Sequence, residues 1–147
     1  MYSRILLATD GSDLSRKAEH AAVELALKLG AELVAVKVVP HYIQTYFEGS
    51  FALSDDEVKK IEDQWVQGAE KLLGHVKQQA QAKGVSIKTL VVKSDDIAQA
   101  LIDTAAQQQS ELIVMASHGR KGIKRLLLGS ETLGVLTHAS IPVLVLR

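Results

Sequence analysis

The sequence predicts an α/β domain: a three-layer sandwich with a five-stranded, doubly wound parallel sheet at its centre and helices on both faces. Three observations lead there. Apolar runs at residues 5–8, 33–39 and 112–116 are unbroken or nearly so, the pattern of strands buried on both faces, and runs at 85–92 and 141–146 complete the set. Segments with apolar residues at helical spacing separate these strands, so the chain reads as successive βα units with right-handed crossovers. A length of 147 residues with 47% apolar content suits a single domain spanning residues 1–147.

The first strand, Ile5-Leu6-Leu7-Ala8, ends in the polar turn Thr9-Asp10-Gly11-Ser12, where Ser12 or Asp13 can cap the next helix. That helix carries Ala18, Ala21, Ala22, Leu25 and Leu29 at spacings of three and four and closes at Gly30. The second strand contains Lys37 and stops at Pro40, which lacks the N–H that a continuing central strand needs. Residues 41–53 hold aromatic side chains and the Gly49-Ser50 pair without a period, and read as a loop. Ser54 with Glu57 forms a capping box at the head of a long helix that runs to Lys83 and ends at Gly84. Its six acids and five bases between Asp55 and Lys83 describe a solvated face. After the third strand, Asp95 or Asp96 starts a helix through Ile97, Ala98, Leu101, Ile102 and Ala105. The fourth strand gives way to a loop at 117–128 with glycines and bases, then to a short helix from Ser130 to His138. Pro142 opens the fifth strand, which points to a sheet edge.

Composition narrows the function. Seventeen basic residues balance seventeen acidic ones, so the overall field offers no attraction to nucleic acid or to an anionic membrane. Residues 118–147 nonetheless hold Arg120, Lys121, Lys124, Arg125 and Arg147 against Glu131 alone, which leaves room for a local anion site. No run approaches the ~18 apolar residues of a membrane span. The first apolar run meets Asp10 too soon for the core of a signal peptide. The chain has no cysteine, which removes disulfides, thiolate nucleophiles and Cys-based metal sites and suits a reducing, cytoplasmic setting.

Ligands of an open parallel sheet lie beyond the carboxyl ends of the strands, where strand order reverses. If it reverses between the first and fourth strands, Asp10 comes beside Gly119. The fourth-strand loop carries Gly119 and Gly122, and Gly129-Ser130-Glu131-Thr132 opens the next helix. Glycines let main-chain N–H groups approach an anion, and the first turn of a helix adds unpaired donors and a favourable dipole. Ser130 and Thr132 offer hydroxyl donors, each charge-assisted bond being worth ~1.5–3 kcal/mol. The plainer alternative is that Ser130 only caps the helix. The loop is not a Walker A motif, because Gly122-x6-Gly129-Ser130 lacks the Gly-Lys-Ser/Thr ending, and no Gly-x-Gly-x-x-Gly follows the first strand.

From Ile5-Leu6-Leu7-Ala8-Thr9-Asp10-Gly11-Ser12 to Ile141-Pro142-Val143-Leu144-Val145, the sequence resembles the universal stress protein family over essentially its full length. The likeness is most specific where Ser117-His118-Gly119-Arg120, the nine-residue gap to Gly129-Ser130 and the closing Pro-Val-Leu-Val follow in order. The resemblance implies strand order 3-2-1-4-5 and a homodimer formed by antiparallel pairing of the last strand, Val143 to Leu146, which would cover an apolar edge. ATP-binding members are similar in having Gly-x2-Gly-x9-Gly-Ser/Thr. The matching positions here are Ala116, Gly119, Gly129 and Ser130, so alanine replaces the first glycine. Carried over by position, the expected cofactor is ATP. Asp10 would contact the ribose or adenine edge and Val38 would meet the adenine through its backbone. Met115 and Ala116 would line the ribose side, and Gly119, Arg120, Gly129, Ser130 and Thr132 would surround the phosphates. Lys37 stands where members often have histidine. Glu131 replaces a residue that is small or β-branched in some ATP binders, and its carboxylate is expected to point away from phosphate.

Other chemistries have weaker footing. Asp10, Ser12 and His118 lack the Gly-x-Ser-x-Gly elbow of a hydrolase triad. The five histidines lack the close pairing of a metal site. Mg2+ near Asp10, Asp13 or the Asp95-Asp96 pair would follow the triphosphate. No general base is aimed at a γ-phosphate, although Arg120 or Arg125 can reach one, so slow hydrolysis suits the pattern better than a dedicated ATPase. Two functions remain open. One is an adenine-nucleotide-binding stress-response or signalling module whose loop at 118–129 responds to ATP and offers a surface to protein partners. The other is a dimeric scaffold that acts without nucleotide.

Overall fold

The computed structural model describes residues 1–42, 53–119 and 128–147. Along the chain lie β1 (Arg4–Ala8), α1 (Asp13–Leu29), β2 (Glu32–Val39), α2 (Asp55–Ala82), β3 (Ile87–Lys93), α3 (Ile97–Gln107), β4 (Leu112–Ala116), α4 (Ser130–His138) and β5 (Val143–Leu146). The strands form one five-stranded sheet in the order β3-β2-β1-β4-β5, and every pairing is parallel. Both the sandwich and its order agree with expectation.

Local chemistry explains where each helix starts. Ser12, not Asp13, caps α1: its side chain accepts the Ser15 N–H at 3.2 Å, leaving Asp13 in the first turn, where the helix dipole favours an acid. Gly30 ends α1 in the left-handed region, φ 64°, at little steric cost. The capping box on α2 is present in full, with Ser54 N–H donating to Glu57 Oε2 at 2.8 Å and Glu57 N–H donating to Ser54 Oγ at 3.3 Å. Asp96 caps α3 by accepting the Gln99 N–H at 3.1 Å. At α4 the cap is Gly129, without a side-chain bond, so Ser130 is the first helical residue and not the cap.

Alternation along the strands divides the core. Ile5, Leu7, Leu33, Ala35 and Val114 face α1 and α2, whereas Leu6, Val34, Val36, Ile113 and Met115 face α3 and α4. Burying each large aliphatic side chain stabilises the fold by ~1.5–3 kcal/mol, and Ile5, Leu6 and Leu7 are wholly covered. Three expectations need correction. The third strand begins at Ile87, with Val85 buried ahead of it, and the fifth at Val143, after Pro142 has accepted the Ile113 N–H at 3.0 Å. The inward stripe of α1 is Ser15, Ala18, Glu19, Ala22, Val23 and Ala26, while Leu29 is 41% exposed. Two polar residues on the buried face had disguised its direction.

After β1 the chain turns to the α1 side, and after β4 it reaches α4 on the other side. Neighbouring strands whose connections part to opposite faces leave a crevice at their carboxyl ends.

Candidate functional site

That crevice is a cleft of about 320 Å³. Asp10, Val38, Met115, Ala116, Gly119, Gly129, Ser130 and Thr132 all line it, together with Lys37, Ile97, Leu101, His118 and Glu131. Arg120, like Lys121, Gly122, Lys124 and Arg125, lies outside the described residues.

Asp10 and Gly119 meet across the top of the sheet. Asp10 Oδ1 accepts the Ser12 N–H at 2.9 Å, which fixes the turn after β1. A Cβ on Gly119 would overlap Asp10 Oδ2, so with any larger residue there the carboxylate would have to move from its place. At Gly129 a Cβ would stand 3.2 Å from the His118 Cα, and the Gly129 N–H donates to the Ser117 carbonyl at 2.7 Å. The two ends of the connecting segment are thereby fastened together. Because that amide is spent internally, the anion cradle is smaller than the glycine pattern implies.

Among the described residues, the N–H groups of Ser130, Glu131 and Thr132 are left to the cradle by α4. They open a helix whose first main-chain bond is Leu133 N–H to the Gly129 carbonyl, 2.9 Å. The Thr132 hydroxyl does not join them: only 2% exposed, it donates to the Ala116 carbonyl at 2.8 Å and ties α4 to the end of β4. Glu131 is among the lining residues and is exposed to solvent, and its Oε2 accepts the Ser130 hydroxyl at 3.0 Å.

The opposite wall is apolar, built from Val36, Val38, Ile97, Leu101 and Met115. Thr9 N–H donates to the Val36 carbonyl at 3.1 Å, and the alternation of a parallel ladder then turns the Val38 main chain to the same side, past the end of β1. A flat apolar ring against this wall would find main-chain donors and acceptors at its edge.

Beneath the cleft lies a group that apolar periodicity overlooked. Glu19 is 6% exposed, and its Oε1 accepts the Thr9 hydroxyl at 2.5 Å, while Ser15 Oγ donates to the Ser12 carbonyl at 3.0 Å. Burial raises the Glu19 carboxyl above its ordinary value. The Thr9 hydrogen bond and the Arg16 charge oppose that shift, and the Asp10 charge adds to it. The i, i+4 step from Ser15, flanked by Ala18 and Ala22, was the signal that could have placed Glu19 inside.

Of the carboxylates considered for Mg2+, Asp95 and Asp96 are otherwise engaged. Asp95 accepts the His41 N–H at 2.8 Å and contacts His41 Nδ1 at 3.0 Å, bonds that lower its pKa, and Asp96 caps α3. Among the described residues no three His, Cys, Asp or Glu side chains gather into a metal site, and no helix is long and apolar enough to cross a membrane.

Comparison with known proteins agrees with this architecture. The family model described as the universal stress protein family matches residues 1–147. A universal stress protein of Methanocaldococcus jannaschii is 34% identical over 149 residues, covering 100% of this chain and 83% of that protein. Universal stress protein YxiE of Bacillus subtilis is 32% identical over 149 residues, covering both chains fully (100% and 100%). Among solved structures, universal stress protein UspA from Lactobacillus plantarum superposes with a TM-score of 0.84 at 26% identity, over 99% of this chain and 98% of that one. A universal stress protein solved in complex with cAMP has a TM-score of 0.72 at 24% identity, over 99% and 97%. One from Archaeoglobus fulgidus in complex with dAMP has a TM-score of 0.70 at 18% identity, over 99% and 98%.

Proposed function

Because this chain belongs to the universal stress protein family, we propose that it is a cytoplasmic, adenine-nucleotide-binding stress-response or signalling module that takes ATP, with Mg2+ carried on the phosphates. One observation carries the reading. At the point where strand order reverses, Asp10 closes on Gly119 while the first turn of α4 presents its N–H groups to the same cleft. The cAMP and dAMP complexes of two proteins of this fold support the choice of an adenine ligand. In this reading the base lies on the apolar wall and its edge meets the Val38 main chain. Asp10 takes the ribose hydroxyls, beside Met115 and Ala116. Gly119, Ser130 and the N–H groups as far as Thr132 hold the phosphates, with Gly129 giving them room. Arg120 belongs to the phosphate side by sequence position. Mg2+ would draw mainly on phosphate oxygens and water, as it commonly does. The role is binding, with ATP hydrolysis slow.

Calorimetric titration of nucleotide-stripped protein with ATP, AMP and GTP, with and without Mg2+, tests the reading. Saturable binding of the adenine nucleotides, weaker for GTP, is expected. No heat of binding at millimolar nucleotide overturns it.

A second reading, a homodimeric scaffold, is favoured by one feature: β5 is an edge strand, with Leu144 40% exposed on it and Leu133 54% exposed on the adjoining α4. Pairing of β5 with a second copy, through Val143 to Leu146, would cover this surface. The two readings are compatible in one molecule.

A further inference from the structure

Glu131 stands in the first turn of α4, beside Gly119, Gly129 and Thr132 on the lining of the cleft. A helix N-terminus attracts negative charge through its dipole and its unbonded N–H groups. An exposed carboxylate tethered there, already accepting the Ser130 hydroxyl at 3.0 Å, occupies one donor that a phosphate would use and places a negative charge beside the free N–H groups. Asp10 adds a second carboxylate at the opposite lip, against Gly119, while Lys37 and His118 are the basic side chains on the lining among the described residues. Repulsion from Glu131 grows with each negative charge on a ligand's tail. It leaves the nucleoside portion, on the apolar wall, nearly unaffected.

We propose that Glu131 is a charge-selecting residue: an internal anion in the phosphate cradle that favours adenine nucleotides with a single phosphate group over free triphosphate, a divalent cation on the triphosphate offsetting the penalty. This rests on the adenine-nucleotide reading above. Exchange of the Ser130 hydroxyl from Glu131 to a phosphate oxygen is part of binding. A ligand of low charge makes that exchange against little opposition. Metal-free ATP must bring a polyanion up to this carboxylate.

The test is titration of nucleotide-stripped wild type, Glu131→Gln and Glu131→Asp with adenosine, AMP and ATP, the ATP both with EDTA and with Mg2+. Removing one partly screened unit charge beside a polyanion is expected to tighten metal-free ATP about tenfold in Glu131→Gln, with adenosine within about twofold of wild type. AMP moves less than ATP, Mg2+ narrows the difference, and Glu131→Asp keeps the wild-type preference. An unchanged ratio of ATP to AMP affinity in Glu131→Gln overturns the inference while leaving the nucleotide reading intact. So do adenosine and ATP shifting in proportion, or Asp and Gln variants behaving alike. Failure of all three ligands to bind any of the proteins, each shown folded by its thermal transition, defeats the nucleotide reading and the inference with it.

Discussion

A buried carboxylate and a glycine decide much of what happens at the mouth of the sheet. Glu19 holds its proton more tightly in the folded chain than when unfolded, because burial disfavours its charge. Its contribution is therefore fully present below the ordinary value of 4.5 and is lost as pH rises through the raised folded value. Urea midpoints measured across pH should fall over that window in wild type and stay flatter in Glu19→Gln. The acids Glu24, Glu62 and Asp95, whose pKa values are lowered by hydrogen bonds, act in the opposite sense and lose their contribution as the solution is acidified. At Gly119 a methyl group displaces only the flexible end of Asp10, so Gly119→Ala should change stability by about 1 kcal/mol or less. Adenine-nucleotide affinity should nevertheless drop roughly tenfold as the Asp10 carboxylate is pushed from its place, the worth of about one hydrogen bond. The neighbourhood of Asp10 and Gly119 was legible from strand order and turn position. The direction of the Thr132 hydroxyl was not, because residue type and spacing do not record which nearby acceptor a side chain finds once the helix has docked.

Helices and strands were more legible than side chains, since caps and breakers act over a few residues and leave local marks. Ser54, Glu57, Gly30 and Gly84 set ends that the structure reproduces, while the bounds of β3 and β5 shifted by two residues, where pairing with a neighbour defines the end. Ser54→Ala should cost about 1 kcal/mol, by losing the cap. The buried residues of α2 begin only at Ala69, so the loss should appear as faster amide exchange in its first turns before it appears in global unfolding. Gly134 has a different purpose. A Cβ there would come 2.9 Å from the Ala98 Cβ, so α4 can lie against α3 only with a bare backbone at that point. Gly134→Ala removes a helix-disfavouring residue yet should destabilise by roughly 1–3 kcal/mol through overpacking. Chemical denaturation gives the sign.

At the scale of the whole molecule, burial of strands on two faces wrote the sheet into the sequence, and the resemblance supplied an order that apolar runs alone do not contain. The edge at β5 belongs to this scale as well. The bonds from Ile113 N–H to the Pro142 carbonyl and from Ser117 N–H to the Leu146 carbonyl turn alternate residues, Val143 and Val145, outward. Val145→Pro should then remove a donor from the free edge without breaking the ladder to β4, and on the scaffold reading light scattering should report a dimer for the wild type and a monomer for the variant. An unchanged mass would place any assembly elsewhere.

The position of β1 has a consequence for how the chain comes to be folded. It is near the start of the sequence and at the middle of the sheet, and its partner on one side is β4, with Ile5 opposite Leu112 and Leu6 opposite Ile113. A nascent chain can pair β1 with β2, and β2 with β3, early, but the other side of β1 waits for a segment about a hundred residues away, a closure made slow by its entropy. Until the ribosome has released that segment, a strand whose Ile5, Leu6 and Leu7 are wholly buried in the folded protein has one flank uncovered, and protection by a chaperone would matter most at that stage of synthesis.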